Sequence, residues 1–142
     1  MSFWDSSAIV PLCINEKGSQ RARTTWRNFS EHFVWLETPV EIMSAIARRE
    51  RERAISEADR VRGERRLILI ETSWSIVDFE KRSVELARSF PIKYGLKALD
   101  SLQLAAALVW CKEIPKNRDF VCGDARLLKA AESAGFTIHD LS

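Results

Sequence analysis

The longest unbroken apolar run in the chain, Leu104 to Cys111, closes a segment from Gly95 to Trp110 built of good helix formers. From Leu102 onward apolar side chains cover every face. That pattern predicts a helix buried on all sides rather than one lying on a surface. Asp100, in its first turn, is the exception, and Gln103 lies one turn on along the same face. Ala107 continues that face with a small side chain, which leaves room above the aspartate for something other than protein. An aspartate at this place also fits a capping role, because it accepts backbone N–H bonds and sits favourably in the helix dipole.

Elsewhere short apolar runs alternate with helical patterns. Ser2-Phe3-Trp4 reads as a strand that stops at Asp5, and a helix through Ala8-Ile9-Val10-Pro11-Leu12 follows. Ser19 to Phe29 is amphipathic. Phe33 to Leu36 reads as a buried strand, and Thr38-Pro39-Val40-Glu41 as a helix start, since proline suits the first helical position. That helix runs through Arg53, and a basic helix from about Ser56 to Ile70, weakened in its middle by Gly63, can pair with it as a hairpin. Trp74 to Phe79 reads as a strand and Glu80 to Phe90 as a helix ended by Pro91. Asp119 to Gly123 is a strand, Asp124 caps a helix Ala125 to Ala134, Gly135 closes it, and Phe136 to His139 is a last strand. The alternation predicts a single-domain α/β/α sandwich over residues 1–142 around a short, mainly parallel sheet.

In such sheets ligands bind beyond the carboxyl ends of the strands. Asp5 and Asp124 each follow directly on a strand, Glu41 lies in the first turn of a helix after another, and Asp100 opens a helix at the same edge. Glu41 also fits a capping box with Thr38, which leaves its role open between cap and site. Converging carboxylates raise one another's pKa unless positive charge sits among them. No histidine or lysine is adjacent in sequence to any of the four, so a metal ion is the simplest compensation. All-oxygen ligands select hard divalent cations such as Mg²⁺, which can activate water and stabilise charge on a phosphodiester. The chemistry indicated is hydrolysis of a phosphate ester. A phosphoaspartate phosphatase would need a second aspartate where Ser7 stands, and serine catalysis would need a base near Ser6 or Ser7, whereas His32 and His139 have no motif around them. Neither the P-loop nor the dinucleotide-binding glycine pattern occurs.

Composition narrows the class without changing it. The 142 residues are 46% apolar and 30% charged, as in an ordinary globular domain, and no apolar run approaches the length a spanning helix needs. No signal peptide is expected from the opening residues. Cys13, Cys111 and Cys122 are odd in number and without metal-binding spacing, which points to a reducing cytoplasm. A net charge of +2 says nothing about nucleic acid, but Arg48, Arg49, Arg51, Arg53, Arg60, Arg62, Arg65 and Arg66 crowd one span among Glu50, Glu52, Glu57 and Glu64. The mixture fits either a solvated helix face or a phosphate-contacting rim.

Trp4-Asp5-Ser6-Ser7-Ala8, then Pro39-Val40-Glu41-Ile42 with Ala45, then Leu96 to Ala107 around Asp100, then Phe120-Val121-Cys122-Gly123-Asp124-Ala125-Arg126-Leu127-Leu128 with Ala131, Glu132 and Gly135 resemble in order and spacing the four blocks of the PIN-domain family. The subgroup they resemble most is the VapC-type toxins of bacterial and archaeal toxin–antitoxin pairs. The resemblance implies a Mg²⁺- or Mn²⁺-dependent endoribonuclease with Asp5, Glu41, Asp100 and Asp124 as metal-binding and catalytic acids. Ser6, Ser7 and Gln103 would support them, and Arg48, Arg49 and Arg126 would hold RNA. Cys122 departs from the family's usual Ser or Thr, so a hydroxyl hydrogen bond is expected to be missing there. A VapB-like antitoxin is implied along the helices of residues 39–70 with a basic side chain on the acids. A homodimer is implied too, with Trp26 or Trp35 as interface candidates. Two rivals remain: a non-catalytic binding module whose acids are only caps, and a structure-specific DNA nuclease.

Overall fold

A computed structural model describes residues 1–142. Its strands are β1 (Ser2–Trp4), β2 (His32–Trp35), β3 (Ser75–Val77), β4 (Asp119–Cys122) and β5 (Thr137–Asp140). Successive side chains of a strand point to opposite faces, so each short strand feeds two cores. Phe3, Trp35, Phe120 and Cys122 enter one core, whereas Trp4, Val34 and Val121 enter the other. The strand order is β3-β2-β1-β4-β5 and every pairing is parallel, where the sequence predicted a mainly parallel sheet.

The core holding Trp4 is covered by α1 (Ser6–Cys13), α2 (Ser19–Arg27), α3 (Thr38–Arg51) and α4 (Glu57–Glu71). The core holding Phe3 is covered by α5 (Lys81–Ala87), α6 (Phe90–Tyr94), α7 (Ala98–Trp110) and α8 (Ala125–Ala134). All-round burial of α7 holds through its middle, where Leu104 to Ala107 are 0% exposed, and fades to half-burial at Leu108, Val109 and Trp110.

Three local expectations change. The predicted helix from Glu80 to Phe90 is two helices, because Pro91 sits in the first turn of α6, where its fixed φ suits a start as well as a stop. The predicted strand from Trp74 to Phe79 contracts to β3, with Trp74 turned into the core beneath α4. Gly63 does not interrupt α4, which runs unbroken past it despite the glycine's propensity cost. A Cβ there would lie 2.9 Å from Ile14 Cγ2, so the missing side chain lets α4 press against the end of α1.

From β1 the chain builds outward through β2 to β3 on one side and through β4 to β5 on the other. The topological switch point therefore falls between β1 and β4, where open parallel sheets bind their ligands. Asp5 and Asp124 follow those two strands.

Candidate active site

Asp5 leaves β1 with its N–H donated to the Val121 carbonyl at 3.0 Å, which ties it to the end of β4. It caps α1: Oδ2 accepts the Ser7 N–H at 3.0 Å and also the Ser7 hydroxyl. The same hydroxyl oxygen accepts the Gly123 N–H at 2.8 Å, so Ser7 joins the two strand ends. Gly123 permits the approach, since a Cβ there would stand 3.0 Å from the Ser7 carbonyl oxygen. Asp5 is 3% exposed, and its Oδ1 is buried without any hydrogen-bond partner. Burial pushes its pKa above the usual carboxylate range, the Ser7 bonds pull it back, and the Asp124 charge pushes it up again.

Glu41 is not part of a capping box. Helix α3 begins one residue earlier than a Thr38 cap requires, with Glu37 as its N-cap, and Thr38 lies buried inside the first turn. The Glu41 carboxylate turns inward instead. It accepts Gln103 Nε2 at 2.8 Å and Ser6 Oγ at 3.2 Å. Gln103 is 0% exposed and its amide also reaches Thr38 Oγ1 at 3.4 Å, so a buried side chain of α7 positions an acid of α3. Burial, then the Asp5 charge, raises Glu41 to about 7.

Asp100 does not cap α7 either; the N-cap is Lys97, and it makes no side-chain capping bond. Burial and the charges of Asp5 and Asp124 raise Asp100 to about 6 against smaller opposing effects of Lys97 and Arg126. No histidine or lysine adjoins the acids in sequence, but two cations farther along the chain, Lys97 and Arg126, act on Asp100 in the fold. Lys97 precedes it by three residues on the same helical face, a spacing readable in the sequence. Asp124 caps α8 as predicted, accepting the Leu127 N–H at 2.9 Å, and is exposed. The cap reading therefore accounts for Asp124 and half of Asp5, and for neither Glu41 nor Asp100.

The acids act on one another: Asp5 on Glu41 and Asp100, Asp124 on Asp5 and Asp100, and Asp100 on Glu41. As the side chains stand, no three of His, Cys, Asp and Glu form a group that holds a metal ion by itself. The donor set is nonetheless all oxygen, with one buried carboxylate oxygen unpartnered and three acids held above their usual range. A hard divalent cation that takes few carboxylates and completes its shell with water and phosphate oxygens fits such a set.

Cys122 replaces the expected hydroxyl with a weaker group rather than leaving a gap. Its thiol points to Asp5 Oδ2 at 3.7 Å, and its sulfur accepts the Asp124 N–H at 3.2 Å. Burial raises the thiol pKa, so it stays protonated. All three cysteines are free and buried. His139 is structural, paired with Asp119 at 2.8 Å and packed edge-on to Phe29.

A groove of about 610 Å³ reaches the site at Glu41, the one acid of the four that lines it, with Ser6 and Ser7 beside it and Lys17, Arg48 and Arg49 farther along. Arg48 is exposed, whereas Arg49 is paired with Glu16 at 3.0 Å. Arg126, exposed at the start of α8, donates to the Gly95 carbonyl at 3.4 Å beside Asp100. Of the two tryptophans proposed for an interface, Trp35 is wholly internal and Trp26 is half-buried. Trp35 is 0% exposed, and Trp26 stacks on His32 with ring centroids 3.6 Å apart.

A protein-family profile described as the PIN domain matches residues 3–134. The chain belongs to the PIN domain family. PIN domains are in general nucleases that depend on divalent metal ions. No curated protein sequence matches this PIN domain at a significant level. Among solved structures it resembles a chain of a toxin–antitoxin complex from Klebsiella pneumoniae, with a TM-score of 0.68 at 14% identity, covering 100% of this chain and 98% of that one. It also resembles a protein from Pyrobaculum aerophilum, with a TM-score of 0.67 at 16% identity, covering 99% of this chain and 88% of that one. At these identities the likeness shows the PIN fold. No helix of this PIN domain is long and apolar enough to cross a membrane.

Proposed function

We propose that this PIN domain is a Mg²⁺- or Mn²⁺-dependent endoribonuclease of VapC type, acting in the cytoplasm as the toxin of a toxin–antitoxin pair. The observation that carries the reading is Asp5 Oδ1, a buried carboxylate oxygen with no donor of its own, in the field of other acids at the switch point of the sheet. Asp5, Asp100, Glu41 and Asp124 would hold the ion. When bound, it supplies Lewis acidity toward water and toward the phosphodiester.

The protein's own groups do the positioning. Ser7 fixes the rotamer of Asp5 through two hydrogen bonds, leaving Oδ1 free to ligate. Gln103 and Ser6 hold the two oxygens of Glu41. Glu41 and Asp100, raised toward neutral pH, give up protons as positive charge arrives. Arg48 in the groove and Arg126 beside Asp100 offer their charge to the RNA backbone.

An antitoxin partner is supported by the cleft between α3 and α4, lined by Pro39, Val40, Met43, Leu67 and Ile68 with Glu64 and Glu71. Val40 is 70% exposed and Ile68 60%, an apolar seam that an amphipathic segment would cover. From it, a basic side chain of that segment would reach the acids. Self-association completes the reading, without Trp35.

Purified protein incubated with labelled RNA and Mg²⁺ tests the assignment. Asp5→Asn and Asp100→Asn are each expected to lower cleavage by at least about a hundredfold, more than loss of a supporting group costs at such sites. Undiminished cleavage by either variant would refute it.

A further inference from the structure

Three of the eight arginines that crowd residues 48–66 are engaged by neighbouring acids. Arg49 pairs with Glu16, Arg60 with Glu50, Glu57 and Glu64, and Arg62 with Asp59. A second groove, about 530 Å³, differs in kind. It is lined by Lys93, Tyr94, Arg126 and Lys129 with small residues of α8, and no acid lines it. None of its three cations is in an ion pair. The Lys93 ammonium sits over the Tyr94 ring, 5.2 Å from its centre, so the aromatic steadies the charge at the groove's edge. Tyr94 is in turn packed against buried Phe90, with centroids 5.3 Å apart.

The groove begins at the acidic site. Asp124 caps α8, Ala125 and Arg126 line the groove one and two residues later, and Arg126 is close enough to Asp100 to lower its pKa. From Arg126 the lining follows one face of α8 through Lys129 and Ala130 to Ser133, about 10 Å at the rise of an α-helix. That length suits a short run of nucleotides. Uncompensated cations in a row beside a phosphodiester-cleaving centre recognise a backbone by charge, without reading its bases.

We propose that this groove carries the single-stranded arm of the RNA away from the acidic site, with successive phosphates on Arg126, Lys129 and Lys93. It rests on the reading of the site as a ribonuclease, and it adds a path separate from the arginine-rich helices. Tyr94 is a positioning residue that acts through Lys93.

The test measures binding of a fluorescently labelled single-stranded oligoribonucleotide to the full chain in EDTA, over a range of salt, and cleavage of the same RNA in Mg²⁺. Lys93 and Lys129 are exposed, so the double charge reversal Lys93→Glu/Lys129→Glu is expected to fold. It should bind at least about tenfold more weakly, with the slope of log affinity against log salt reduced by about 1.4, two phosphate contacts' worth for a single strand. Tyr94→Phe, which keeps the ring under Lys93, should bind as the wild type does. If the wild type binds and cleaves while the double variant matches it in affinity and slope, the groove assignment is overturned and the ribonuclease reading stands. If the wild type neither binds nor cleaves RNA, both fall. If the double variant binds RNA normally but loses affinity for a poly-glutamate peptide, the groove belongs to an acidic protein segment and the proposal is likewise overturned.

Discussion

Replacing Glu41 with Gln removes one charge from the acid cluster while keeping its contacts. The retained oxygen accepts from Gln103, and the new amide donates to the Ser6 hydroxyl in place of the bond at 3.2 Å. In the folded chain Glu41 protonates at about 7 rather than the ordinary 4.5, because it is buried next to Asp5. The folded form holds the proton longer than the unfolded form, so the stability Glu41 contributes is complete below pH 4.5 and is lost as pH rises through 7. Converted in full, the shift would be worth roughly 3 kcal/mol, and solvent screening of this half-buried side chain cuts that to about 1.5 kcal/mol. Metal-free Glu41→Gln is therefore expected to melt about 3–6 °C above the wild type at pH 8 and level with it at pH 5. Comparing variant with wild type at each pH cancels the opposing titration of buried His32. Thermal melts in EDTA at the two pH values read the effect, and repeating them with Mg²⁺ should raise the wild type at pH 8 and the variant much less. A variant that melts below the wild type at pH 8, or gains as much from Mg²⁺, would refute the account of the cluster as charges waiting for a cation.

Three further outcomes follow from contacts already described. Ser7→Ala removes the hydroxyl shared by Asp5 and Gly123, and denaturant titration should show a loss of about 1–3 kcal/mol together with reduced cleavage. Cys122→Ser restores a stronger donor near Asp5 and should leave the cleavage rate within about threefold of the wild type, while Cys122 itself should not react with a thiol reagent until the protein unfolds. Gly63→Ala gains helix propensity of about 1 kcal/mol, but its methyl meets Ile14 and the Cys13 carbonyl, so unfolding should show a net loss of about 1–2 kcal/mol; a gain would refute the close packing of α4 on α1.

Parallel strands that end in acids are easy to see in a sequence, because the apolar run stops at the charge. Asp5 after Ser2-Phe3-Trp4 and Asp124 after Phe120-Val121-Cys122-Gly123 were legible for that reason, and with them the sheet's functional edge. Glu41 was ambiguous because Thr38 and Glu41 satisfy a capping spacing that a start one residue earlier defeats, and only tertiary contact with Gln103 decides. The break between α5 and α6 was hidden by Pro91, which serves a helix start as well as an end. Charge was the hardest to read. Arg60 shares three acids across two helices, whereas Lys93 and Lys129, far apart in sequence, meet in one groove with none.

The place of β1 has a consequence for how the enzyme comes into being. Its three residues stand at the centre of the sheet, yet one of the strands that flank them, β4, is made more than a hundred residues later, and the Asp5 N–H bonds to Val121 of that strand. During synthesis Asp5 therefore emerges long before the strand that completes its surroundings, and it has no pocket until β4 has left the ribosome.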